Sequence, residues 1–263
     1  MTSISTFDHE PHWIMIKELA ENHSLAELKT FINTFDDPFE RNQLFQFAIQ
    51  TLNFRDWYNK NLNFLIELGD LAISDGTRSS LSLSQEEDRN VFKDQVNILC
   101  YNMAANLADC WNDKFSRGNI HFEKGLVYAE KALMLRAELK KGPMPFSMAF
   151  WAKGMHHFFL NQKQKAMESY ELSLDHAEKF SLEIGKTVDL NAEADFSLIL
   201  AHGYIALVEF QMGKTTAYNH FENSVHAFNE MKLLSEESKQ DAMVGLDQLL
   251  YVKHKYVDPN LRY

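Results

Sequence analysis

SMAFWAKGMHHFFLNQKQKAMESYELSLDHA, residues 147–177, decides the fold. Asn161 marks a tight turn between two helices. Small residues at Gly154 and Ala166 let the two antiparallel helices approach closely, while Phe150 and Tyr170 fill the space above and below that contact. The pattern is helical throughout and asks for neighbours of the same kind on either side.

Similar stretches flank it. Upstream, Tyr101-Asn102-Met103-Ala104 is followed by Gly125, Ala129, Ala132 and Leu133; downstream stand Ala206, Gly213, Ala217, Phe221 and Ser224. The small positions Ala104, Gly154 and Ala206 recur at intervals of roughly fifty residues. Residues 88–228 thereby resemble the tetratricopeptide repeat family, whose period is about 34 residues, so the helices or connections here are expected to be longer. Two positions depart from the family pattern: Lys153 stands where leucine is expected, and Ser173 replaces the third small alanine. The resemblance implies an all-α fold, a right-handed stack of antiparallel helix pairs forming an α-solenoid.

In that family the first helices of successive repeats line a concave groove that holds peptide ligands. Carried over to the matching positions, the rule assigns partner binding to Tyr101, Trp151, Met155, Phe158, Phe159, Leu207 and Phe210, with Asp109 and Gln211 beside them. This surface is aromatic and apolar. It lacks the paired lysines, arginines and asparagines by which some relatives clamp the carboxylate of a chaperone tail. An apolar groove left bare is an aggregation liability, so either a partner covers it or the chain does. In the second case residues 235–257 supply a compatible face through Met243, Leu246, Leu249, Leu250 and Tyr251, with an amino-terminal helix as the other candidate cover.

Punctuation along the chain outlines about eleven helices. Asp37-Pro38 opens one, followed by Leu44, Phe45, Ala48, Ile49 and Leu52 at helical spacing. A capping box at Ser84 to Glu87 introduces a long helix reaching about Trp111. Gly142 and Pro143 close the helix holding Ala132 and Leu135, Gly213 marks a second tight turn, and Ser235 starts a last helix that Asp258-Pro259 ends. The serine-rich stretch 74–84 reads as a linker. This gives residues 1–76 as a helical cap or degenerate repeats, with Trp13, Ile16, Leu28, Ile32, Phe45, Trp57, Phe64 and Leu68 among the residues of its apolar faces; residues 85–234 as the repeats; and 235–257 as a capping helix.

Bulk properties narrow the function classes. Twenty-six basic residues stand against 37 acidic ones, a formal net charge of −11, so no general attraction to nucleic acid or anionic lipid is expected. Residues 1–8 show no basic segment leading into an apolar one, and no stretch approaches a membrane span; a cytoplasmic protein is the expectation. Cys100 and Cys110, ten positions apart inside one helical pattern, would stand about 15 Å apart and read as reduced packing residues. His156 with His157, and His220 with His226, miss the spacing that puts ligands on one helix face, so no metal is expected. Gly-Lys-Thr at Gly185 and again at Gly213 lacks the rest of a phosphate loop. No cofactor and no catalytic activity are expected. The reading is an adaptor or regulatory scaffold binding a protein segment in the concave groove; the alternative is a sensor of a peptide or hydrophobic ligand. Self-association is expected from the same aromatics.

Overall fold

The computed structural model describes residue 8 and residues 10–22, 24–54 and 61–258. Residues 1–7, Trp57 and Pro259, to which the sequence reading assigned roles, lie outside the described residues. Among the described residues the regular elements are one short 3-10 turn and eleven α-helices, with no strand. They fall into two compact units, Met1–Asn106 and Leu107–Tyr263.

The first unit holds α1 (Trp13–Glu21), α2 (Leu25–Ile32), α3 (Pro38–Phe54), α4 (Leu62–Ser82) and α5 (Glu86–Leu107), which ends on the first residue of the second unit. Pro38 occupies the first turn of α3, and the Asp37 carboxylate accepts the Phe39 backbone N–H. Asn61 caps α4 in the same way by accepting from the N–H groups of Asn63 and Phe64. Ile16, Leu28, Ile32, Leu44, Phe45, Phe64 and Leu68 form the core, each contributing on the order of 1.5–3 kcal/mol by leaving water.

Residues 74–84 are not a linker. α4 runs through them to Ser82, and the division between the units falls instead between Asn106 and Leu107. Hydroxyls that signalled a loop bond back onto the helix: Thr77 Oγ1 donates to the Ile73 carbonyl, Ser80 Oγ to Thr77 and Ser82 Oγ to Ser79. Gly76 marks a close approach rather than flexibility, since a Cβ there would stand 2.7 Å from Val96 Cγ2 of α5. α5 begins at Glu86 and stops at Leu107, short of Trp111, so Cys100 and Cys110 do not share one helix; both are buried and neither forms a disulfide.

The second unit holds α6 (Asn119–Glu138), α7 (Pro143–Phe159), α8 (Lys163–Glu183), α9 (Phe196–Gln211), α10 (Ala217–Met231) and α11 (Glu236–Tyr256). Each packs against the next, and α9 also touches both α7 and α11, so these three odd-numbered helices are neighbours. Asn161 at φ 56° and Gly213 at φ 74° make the expected tight turns after α7 and α9, both in the left-handed conformation. After α6 that conformation falls to Lys140, at φ 50°, while Gly142 is an extended N-cap with Pro143 as the first residue of α7. The Asp195 and Ser235 side chains cap α9 and α11.

The decisive stretch forms α7 and α8. Gly154 faces the Tyr170 ring, and Ala166 and Tyr170 are fully buried. Both departures from the repeat pattern have local reasons. Ser173 Oγ donates to the Ser147 carbonyl across the α7–α8 contact at 2.9 Å, so a small hydroxyl replaces the small methyl without leaving a polar atom unpaired. Lys153 reaches α6 and pairs with Glu130 at 3.1 Å.

Candidate functional site

Residues expected to line an open groove in the second unit are mostly inside it. Met155, Phe158 and Leu207 are fully buried, Trp151 and Phe159 nearly so, and Phe210 keeps partial exposure with Gln211 beside it. Tyr101 is half-buried on α5 in the first unit. As a bare surface the set does not exist, and the expectation of self-association loses the aromatic residues on which it rested.

Part of this group is covered by the chain's own α11. The Tyr256 ring lies 4.8 Å from Phe159 and 6.1 Å from Phe158, centroid to centroid. Tyr204 on α9 donates its hydroxyl to Gln248, and Gly203 leaves room for Leu249, which a Cβ would approach to 2.4 Å. Gly245 admits the Phe228 ring of α10 in the same manner. Ala242, Gly245, Leu246, Leu249 and Val252 face inward, whereas Met243, assigned above to the covering face, points to solvent. One residue of error in helix phase accounts for that: Ala242 occupies the inward position.

Two polar clamps fix the far end of α11. The first is Asp109, only 2% exposed, in the segment that precedes α6. One carboxylate oxygen accepts the Tyr251 hydroxyl at 3.2 Å; the other accepts Lys255 Nζ at 2.7 Å and the Tyr256 hydroxyl at 2.5 Å. Arg117 stands 3.8 Å from the first oxygen and is itself held bidentately by Asp113 at 2.6 and 2.7 Å. Burial, followed by the hydrogen bond to Asp109 and its charge, pushes the Tyr256 phenol well above its usual value, so it stays a donor. Burial acts downward on Lys255, but the bonds to Asp109 and Tyr251 and the Asp109 charge outweigh it and raise its pKa.

The second clamp encloses Lys253. Its ammonium stands 4.2 Å from the Phe221 centroid, 5.4 Å from Phe210 and 5.6 Å from Tyr218, with Glu222 3.7 Å away. Three rings and one carboxylate replace the water that a buried ammonium gives up.

Sequence reasoning placed Asp109 and Phe210 at the site but missed Lys253, Lys255, Tyr256 and Tyr218. The available signal was the run Tyr251-Val-Lys-His-Lys-Tyr256, cationic and aromatic where a simple capping helix would carry scattered solvated polar residues.

Behind the clamps the interior is aromatic and chemically quiet. Trp151 meets Trp111 and Tyr204 edge-on, both at 6.3 Å, and Tyr204 stacks on Tyr170 at 5.2 Å. Burial raises the Cys110 thiol far above its ordinary value, which keeps it protonated and unreactive. Among the described residues no group of three or more histidine, cysteine or acidic side chains is arranged to hold a metal ion. His156 packs on Phe122, His157 bonds to Gln162, and His220 bonds to Glu209 at 2.6 Å.

Burial lowers the pKa of His121, His157, His176 and His202 below 6.5, helped at His202 by the nearby His220. Between the lowered folded value and 6.5 the unfolded chain binds more protons, so stability is complete above 6.5 and is lost as pH falls through the folded values. The thermal midpoint is therefore expected to hold steady down to about pH 7 and drop by about pH 5.5, with His202→Gln flattening the drop. Melting curves followed by circular dichroism would read this; an equal midpoint at both pH values would contradict it.

No helix among the described residues is long and apolar enough to cross a membrane. Protein-family models, curated protein sequences and solved structures were each compared with the chain, and none matches it.

Proposed function

We propose that this chain is a cytoplasmic adaptor of the tetratricopeptide type, with α7/α8 and α9/α10 as right-handed stacked helix pairs, and that it binds a helical segment of a partner protein on the face of α7 and α9. One observation carries the reading. Phe158, Phe159 and Phe210, three of the positions that the repeat resemblance assigns to ligand contact in the second unit, meet a single helix, α11, and the chain itself supplies that helix. A helix laid in a groove is a common mode of segment recognition, and α11 stands in for the ligand. It is joined to α10 by only residues 232–235, where Leu233 and Leu234 are exposed, and the reading requires it to open as a unit from α9 and α10.

Native-state amide exchange tests the idea. The amides of the last three turns of α11 are expected to exchange through a local opening that costs less than global unfolding, while those of α7 and α8 exchange only on unfolding. If α11 is protected to the same extent as α7, the face is never offered and the adaptor reading fails.

A further inference from the structure

Lys253 and Lys255 are two positions apart, so on a helix they point about 200° from each other and cannot serve one site. Each has its own: the Phe210, Tyr218 and Phe221 rings with Glu222 for the first, and Asp109 for the second. These receptors lie on α9, α10 and the segment before α6, and α11 contributes only the cations and hydroxyls. Without α11, Asp109 would keep Arg117 at 3.8 Å, but that guanidinium is already committed to Asp113 in two short bonds. A purely apolar helix laid over Asp109 would bury a carboxylate short of partners, which is unfavourable, and an acidic one would add repulsion.

We propose that this face selects, in the partner protein, a helix with two cationic residues two positions apart and tyrosine beside them, the pattern that residues 251–256 imitate. The proposal rests on the adaptor reading and adds the chemistry of the ligand. Asp109 reads one cation and two hydroxyls; the aromatic cage reads the other cation. The long acidic balance of the chain, −11 overall, favours the approach of such a basic segment.

The test uses the full chain carrying Lys255→Ala, a half-exposed position whose loss weakens the hold of α11, and fluorescent peptides matching residues 244–258. Anisotropy is expected to show the native peptide binding this chain at least about tenfold more tightly than a peptide with both lysines replaced by alanine. The unaltered chain is expected to bind the native peptide more weakly, because its own α11 competes at high effective concentration. Equal affinity for the two peptides leaves the adaptor reading standing and overturns cation selection; absence of binding by either peptide overturns both. Sedimentation of the variant alone is expected to give a monomer, and a dimer would make the occupant the α11 of a second copy, against the proposal. If Lys255→Ala does not fold by circular dichroism, Tyr256→Phe, which removes a single hydroxyl, serves as the receptor with the same expected ratio.

Discussion

Asp109→Ala is expected to lower the unfolding free energy by about 3 kcal/mol, the lower end of the range of about 3–5 kcal/mol for removing one partner of a buried ion pair. The lower end applies because the losses are unequal. Lys255 is 41% exposed in its side chain and can turn to water once the carboxylate is gone, so it adds no penalty of an unpaired buried charge. Arg117, 1% exposed, keeps both bonds to Asp113 and loses only the more distant charge. The main cost falls on the half-buried Tyr256 and Tyr251 hydroxyls, which lose their acceptor, and on the space left beside Arg117. Asp109→Asn keeps an oxygen in place for one hydroxyl and should cost clearly less. Urea unfolding would show both as shifts in midpoint at nearly constant slope. A loss below about 1 kcal/mol for the alanine variant would mean that the clamp is held by the apolar face of α11 alone.

How much of this was legible in the sequence depends on what each residue reports. Gly154, Ala166 and Tyr170 report a contact between two helices adjacent in the chain, so spacing alone located it. Asn161 and Gly213 report a backbone conformation, which is local as well. The stretch 74–84 was misread because serine and glycine serve both loops and close helix contacts; Ser79 and Ser80 are buried, and only the presence of α5 against Gly76 distinguishes the two uses. Of the positions the repeat rule singled out on α7 and α9, Phe158, Phe159 and Phe210 meet α11. The rule could not show what lies against them. Asp109 and Lys255 are 146 residues apart in the chain, and no period or spacing relates them.

Gly154→Ala carries the second large effect, expected at about 2 kcal/mol of lost stability. In a helix interior alanine is ordinarily better than glycine by about 1 kcal/mol, so the packing penalty has to exceed that gain before any loss is seen. The geometry makes it do so. A Cβ on Gly154 would stand 2.6 Å from Tyr170 Cε1 and 2.7 Å from Cδ1, inside contact distance of a ring with nowhere to retreat. Tyr170 is fully buried, its hydroxyl donates to Met155 Sδ at 3.1 Å, and its face lies on Tyr204 at 5.2 Å. Relief requires α7 and α8 to separate, which loosens the whole pair, and overpacking of this kind costs about 1–3 kcal/mol or more. Gly118→Ala is the internal control for steric clash, because a Cβ there meets nothing within 4 Å, and its effect should stay below the roughly 1 kcal/mol that an N-cap is worth. A double variant with Tyr170→Leu should recover part of the Gly154→Ala loss, since the smaller side chain vacates the space the methyl needs. If the two losses simply add, the ring is not the obstacle, and the close α7–α8 approach from which the repeat reading starts would have lost its physical cause.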